Sequence, residues 1–113
     1  MKNLIIILIA FLLTTSCTYK NEEDLYNNEC DTINVTYAEN IDQIISNSCS
    51  VSDCHVAGTG RHIYDSYSSL KSDVDNGTIL DKVITNKTMP PGGNLSECDL
   101  EMIDEWIKQG AKE

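Results

Sequence analysis

The chain has little of what usually builds a large core. Among its 113 residues there is one Trp and one Phe, and aromatic residues make up only 6%. Phe11 belongs to an N-terminal apolar run, which leaves Trp106 as the bulkiest apolar side chain of everything that follows. Proline is nearly absent, and both copies sit together as Pro90-Pro91. Positive charge is scarce: 8 Lys and Arg stand against 18 Asp and Glu, a net charge of −10. Such a balance argues against nucleic acid or an anionic lipid surface as a partner, because both repel an acidic protein. It suits plain solubility, or a partner with a basic surface. No internal repeat and no low-complexity segment is present, so a solenoid or fibrous design is excluded.

Only one long apolar run exists, Leu4 to Leu13, preceded by Lys2 and followed by Thr14, Thr15 and Ser16. Ten apolar residues are too few to span a bilayer. The order of charge, apolar run and small polar residues is that of a secretory signal over residues 1–16. Cys17 follows at once, with a small residue before it, and this resembles the bacterial lipobox. The expectation is that Cys17 carries lipid and anchors an exported, periplasmic or cell-surface domain to a membrane without a transmembrane helix. Residues 17–29, with their acidic KNEED stretch, read as a flexible tether. That leaves 30–113 as one small domain, of a size that benefits from a covalent staple or a large apolar cofactor at its centre.

Against this spare background stands CSVSDCH, residues 49–55. Two thiols followed directly by a histidine is the order that covalent haem attachment needs. The thiols add across the vinyl groups, and the adjacent histidine is delivered to the iron. The common spacing is two residues between the cysteines; here Ser50, Val51, Ser52 and Asp53 make it four. Of the five cysteines, lipid at Cys17 and haem at Cys49 and Cys54 leave Cys30 and Cys98, a natural disulfide pair in an oxidising compartment.

The second axial position asks for another ligand. Met89 precedes Pro90-Pro91, whose rings stiffen the loop backbone, and thioether is a frequent partner of histidine in electron-transfer cytochromes. Met102 lies on a helical apolar face and reads as packing. His62, seven residues past His55, is the rival ligand. Arg61 is a candidate partner for a haem propionate, and Trp106 reads as core with a lesser claim to that role. Two readings without haem stay open: a closed zinc site from Cys49, Cys54, His55 and His62, and a lipoprotein stapled by Cys49–Cys54 and Cys30–Cys98 disulfides.

Ile33, Val35 and Tyr37 alternate with polar residues and predict a short extended stretch. Asn40 is expected to cap a helix through Asn47 with Ile41, Ile44 and Ile45 on one face. Ala57 to Gly60 is a loop. A second helix starts at Asp65 or Ser66, carries Tyr67, Leu70 and Val74 inward, and stops at Asn76-Gly77. Thr78 is expected to cap a short third helix with Ile79, Leu80 and Val83. Residues 87–94 cannot be regular. Ser96 and Asp99 form a capping box for a last helix with Leu100, Ile103, Trp106 and Ile107 inward, ended by Gly110.

An apolar helix running into CSVSDCH, then MPPGG, then LSECDLEMIDEWIKQGA, resembles the small class I cytochrome c domains of Bacteroidetes lipoproteins over about residues 32–112. The resemblance implies an all-α fold in which the first and last helices cross and wrap one covalently bound haem c. It implies Cys49 and Cys54 as thioether residues, His55 as the proximal iron ligand and Met89 as the distal one. A protein of this kind is a one-electron carrier rather than an enzyme, and its partners are redox proteins.

Overall fold

The structure is a computed structural model that describes residues 30–93 and 95–113. The expected signal at 1–16, the lipid site at Cys17 and the tether at 17–29 lie outside the described residues. Among the described residues there are helices and turns and no strand, so the domain is all-α. No helix among the described residues is long and apolar enough to cross a membrane.

Among the described residues five helical elements follow in order: α1 (Tyr37–Ile41), α2 (Asp42–Ser48), α3 (Tyr67–Asp75), α4 (Leu80–Thr85) and α5 (Glu97–Lys108). α1 and α4 have the wide π geometry, and α1 runs straight into α2. α5 packs on both α1 and α4, so the beginning and the end of the domain meet. The core is small: Val35, Ile41, Leu70, Ile103 and Trp106 have less than 2% of their surface exposed, and Tyr37, Ile44, Ile45, Tyr64, Ile79 and Val83 surround them. Trp106 also donates its indole N–H to the Lys112 carbonyl at 2.7 Å, tying down the C-terminal segment. Its polar edge is therefore used inside the core, as a buried Trp requires, and not on a propionate.

The N-terminal segment corrects the expected extended stretch. Asn34 takes a left-handed backbone, φ 61°, which breaks the alternation and leaves Ile33 80% exposed while Val35 is buried. Its backbone groups find partners at the end of α5 and just beyond it instead of in a strand. The Gln109 side chain accepts from Val35 N–H at 3.1 Å and donates to the Thr32 carbonyl at 2.9 Å. Tyr37 N–H donates to the Lys112 carbonyl at 2.9 Å.

The first helix starts earlier than the sequence suggests. Its cap is Thr36, whose hydroxyl accepts from Glu39 N–H at 3.3 Å, while Asn40 reaches back to accept from Thr36 N–H at 3.1 Å. The pair satisfies two of the donors a helix start leaves open. Asn40 is thus the returning half of the cap and not the cap itself. Thr78 likewise does not cap α4. Its own N–H donates to the Asn76 side chain at 2.9 Å, and Leu80 faces outward at 41% exposure.

The other boundaries stand as read. Ser66 caps α3 in a reciprocal box with Ser69, and α3 ends at Asn76 before Gly77. Ser96 caps α5, accepting from Asp99 N–H at 3.1 Å while the Asp99 carboxylate accepts from Ser96 N–H at 3.0 Å. Gly110, φ 93°, turns the chain out of α5. Ser96→Ala removes the hydroxyl half of that box and should destabilise the fold by about 1 kcal/mol. A urea titration checks it: the midpoint falls while the slope stays constant.

Cys30 and Cys98 form a disulfide, with Cα atoms 5.4 Å apart, inside the range such bonds span without distortion. The pairing inferred from cysteine bookkeeping is the one present.

Candidate functional site

Cys49 is the residue that closes α2. Its N–H donates to the Ile45 carbonyl at 2.8 Å, completing the last turn. The chain then folds back tightly. Cys54 N–H donates to the Val51 carbonyl at 3.0 Å, and His55 N–H donates to the Cys49 carbonyl at 3.0 Å. Asp53 makes this possible by taking a left-handed backbone, φ 66°, a conformation aspartate tolerates better than most residues. The four-residue spacer is therefore a closed turn that brings its ends together. Ser50 pins it to the next segment by donating to the Tyr64 carbonyl at 2.7 Å.

Beside this turn lies a cavity of about 310 Å³, within the ~300–1,000 Å³ typical of small-molecule and cofactor sites. Cys49, Cys54, His55 and Met89 all line it. Its apolar walls come from three helical elements, through Ile45 of α2, Val83 of α4 and Ile103 of α5. Arg61 and Lys82 are the cations on its wall. Arg61 also donates a guanidinium N–H to the Asp53 carbonyl, which holds it over the cysteine turn.

His55 is held on two sides. Its Nδ1 lies 2.7 Å from the His62 carbonyl oxygen. A carbonyl only accepts, so Nδ1 carries a proton, and in the neutral imidazole the lone pair is then on Nε2. Histidines that ligate metals are commonly oriented in this way. The ring also stacks on Tyr64, with centroids 4.3 Å apart and planes 17° from parallel.

His62 does not line the cavity, and its ring faces α3, where Nδ1–H donates to Asp73 Oδ2 at 2.8 Å. Its backbone carbonyl, and not its imidazole, serves the site. Met89 is 37% exposed and sits at the cavity before a cis Met89–Pro90 bond. Its loop hangs from α4, because Thr88 N–H and Met89 N–H both donate to the Lys82 carbonyl, at 2.8 and 3.1 Å.

Cys49 and Cys54 are free thiols. Burial pushes Cys49 up to about 11, with Cys54 adding to the shift, so it is protonated at neutral pH. Zinc needs thiolates, and among the described residues no group of three or more His, Cys, Asp or Glu is placed to hold a metal ion. Haem asks for different things: apolar walls, two thiols at one edge, an imidazole nitrogen with a free lone pair and a second soft ligand. The residues lining this cavity fit those demands.

Sequence reasoning missed Tyr64 and Asp73. Asp73 follows Leu70 by three residues and so shares the inward side of α3, and a carboxylate in an apolar register was the available signal. Tyr64 lies in a loop with no periodicity to mark it. No family model, no curated protein and no solved structure matches the chain.

Proposed function

We propose that this protein is a one-electron carrier of the c-type cytochrome kind, with a single haem held covalently in the cavity. The observation that supports the reading most is the convergence of Cys49, Cys54, His55 and Met89 on one apolar-walled cavity. Bound haem supplies an iron centre that passes between ferrous and ferric states.

The chain's residues divide the remaining work. Cys49 and Cys54 would hold haem through two thioether bonds, each S–H adding across a vinyl group with its hydrogen going to the neighbouring vinyl carbon. His55 would hold the iron through Nε2, its ring oriented by the His62 carbonyl and the face of Tyr64. Met89 would hold it through its thioether. A histidine and thioether ligand pair suits electron transfer rather than turnover. Ile45, Val83 and Ile103 keep water from the ring, and Arg61 and Lys82 are available to a carboxylate edge. The acidic chain favours a redox partner with a basic face. An exported lipoprotein with Cys17 as its anchor completes the reading, in agreement with the resemblance to small class I cytochrome c domains.

The test is expression of the full chain beside a cytochrome c maturation system. The purified protein should be red, with an intense Soret band, and should keep its haem stain on a denaturing gel. Haem released on denaturation, with both thiols open to alkylation, would refute covalent attachment. A colourless protein would return the two cysteines to the stapled lipoprotein reading.

A further inference from the structure

Behind His55 lies a polar cluster that the electron-carrier reading leaves without a task. Asp73 Oδ2 accepts from Tyr64 Oη at 2.7 Å and from His62 Nδ1 at 2.8 Å, and Oδ1 accepts from the Asn76 amide at 3.1 Å. Three donors on one carboxylate of only 14% exposure is a built arrangement. Burial alone raises the acid's pKa, yet the bonds from Tyr64, His62 and Asn76 outweigh it and hold Asp73 below the usual carboxylate range. Asp73 also lines the cavity itself.

The two residues it grips are the two that hold His55. Tyr64 stacks on the imidazole, and the His62 carbonyl takes its Nδ1 proton. The segment between them is a loop, so its backbone has no ladder to fix it. The Tyr64 backbone is tied to the cysteine turn, its N–H donating to the His55 carbonyl at 3.1 Å and its carbonyl accepting from Ser50 at 2.7 Å, whereas the side chains of Tyr64 and His62 are both fixed to α3 through one carboxylate.

We propose, resting on the electron-carrier reading, that Asp73 is a positioning residue for His55: through Tyr64 and His62 it locks the imidazole plane and its Nδ1–H tautomer, and its negative charge beside the cavity lowers the reduction potential of the bound centre. Both effects share a sign. A firm Nδ1 hydrogen bond makes the imidazole a stronger donor, which favours ferric iron, and a nearby anion favours the more positive oxidation state.

The experiment compares full-length wild type, Asp73→Asn and Asp75→Asn. Asp75 is on the same helix but paired outward with Lys71, with 61% of its side chain exposed. In haem-loaded protein, Asp73→Asn should raise the midpoint potential by about 59 mV, a tenfold change in a one-electron equilibrium, while Asp75→Asn stays with wild type. In the unloaded chain, histidine ring ¹⁵N shifts should show His55 as the pure Nδ1–H tautomer in wild type and as a mixture in Asp73→Asn. An Asp73→Asn protein with wild-type potential and a pure tautomer overturns the proposal. A wild-type chain that takes up no haem overturns the electron-carrier reading, and the ring shifts still decide the positioning role. If Asp73→Asn fails to fold, His62→Ala replaces it, since that side chain is 44% exposed. It cuts the tether and keeps the charge, so it should mix the tautomer, and an unchanged tautomer there also overturns the proposal.

Discussion

Met89→Ala, in protein carrying covalent haem, should abolish the weak sulfur-to-iron absorption band at the red end of the spectrum. It should also drop the midpoint potential by on the order of 100 mV or more, against the ~0.8 V that axial ligands span. The sign follows from ligand softness. A thioether stabilises ferrous iron, so replacing it with water or a harder ligand favours the ferric state. The size follows from how the side chain is held. Its loop is anchored by two backbone bonds to the Lys82 carbonyl and stiffened by Pro90 and Pro91, so the loop should persist in the variant and only the sulfur should be lost. Met89 is also one of the few large apolar side chains left exposed, at 37%, and binding at the cavity would cover it.

His62→Ala is the decisive companion. The His62 ring is engaged with Asp73 and is absent from the cavity wall, so the sulfur band should survive its removal even as the potential moves. A spectrum left unchanged by Met89→Ala and altered by His62→Ala would reverse the assignment and make the axial pair two histidines.

The sequence marked some of this site and was silent on the rest for identifiable reasons. CSVSDCH marks itself, because its chemistry is local: three reactive side chains within seven residues. The cap at Ser96 was legible for the same reason, since it closes its bonds over three residues, whereas for α3 the sequence left Asp65 and Ser66 both open as the start. The start of α1 was not. Thr36 and Asn40 share a reciprocal cap, and the sequence alone does not say which of the two comes first in the helix. The support behind His55 was hidden by distance. Asp73 meets Tyr64 nine residues away and His62 eleven away, joining a loop to a helix, and no periodicity links such positions. The contact that His62 makes with His55 was hidden for a related reason. A histidine draws attention to its ring, whereas the group that meets His55 is a backbone carbonyl that any residue could supply. The extended stretch at 33–37 failed because a three-residue alternation is a weak signal, and the Gln109 side chain offered its backbone better partners than a strand.

Cys30→Ala with Cys98→Ala should destabilise the domain by about 4 kcal/mol, the largest stability effect expected here. The bond closes a loop with a sequence separation of 68, and the loss of unfolded-chain entropy at that length corresponds to roughly 4 kcal/mol on the chain-entropy model. Its location argues for the full effect. Cys98 lies in the first turn of α5, and Cys30 precedes the segment that Gln109 holds against the far end of the same helix. The disulfide and Gln109 therefore clamp the N-terminal segment along α5, the helix that carries Ile103 to the cavity and Trp106 to the core. A small domain whose net stability is ~5–15 kcal/mol would lose a large fraction of it. Urea unfolding of the double variant and the parent, both loaded with haem, measures the difference as a shift in midpoint. Peptide mapping without reduction then establishes the connectivity. A midpoint unchanged in the double variant would deny the clamp. A peptide joining Cys30 or Cys98 to Cys49 or Cys54 would do more, since it would take away the thiols on which covalent haem depends.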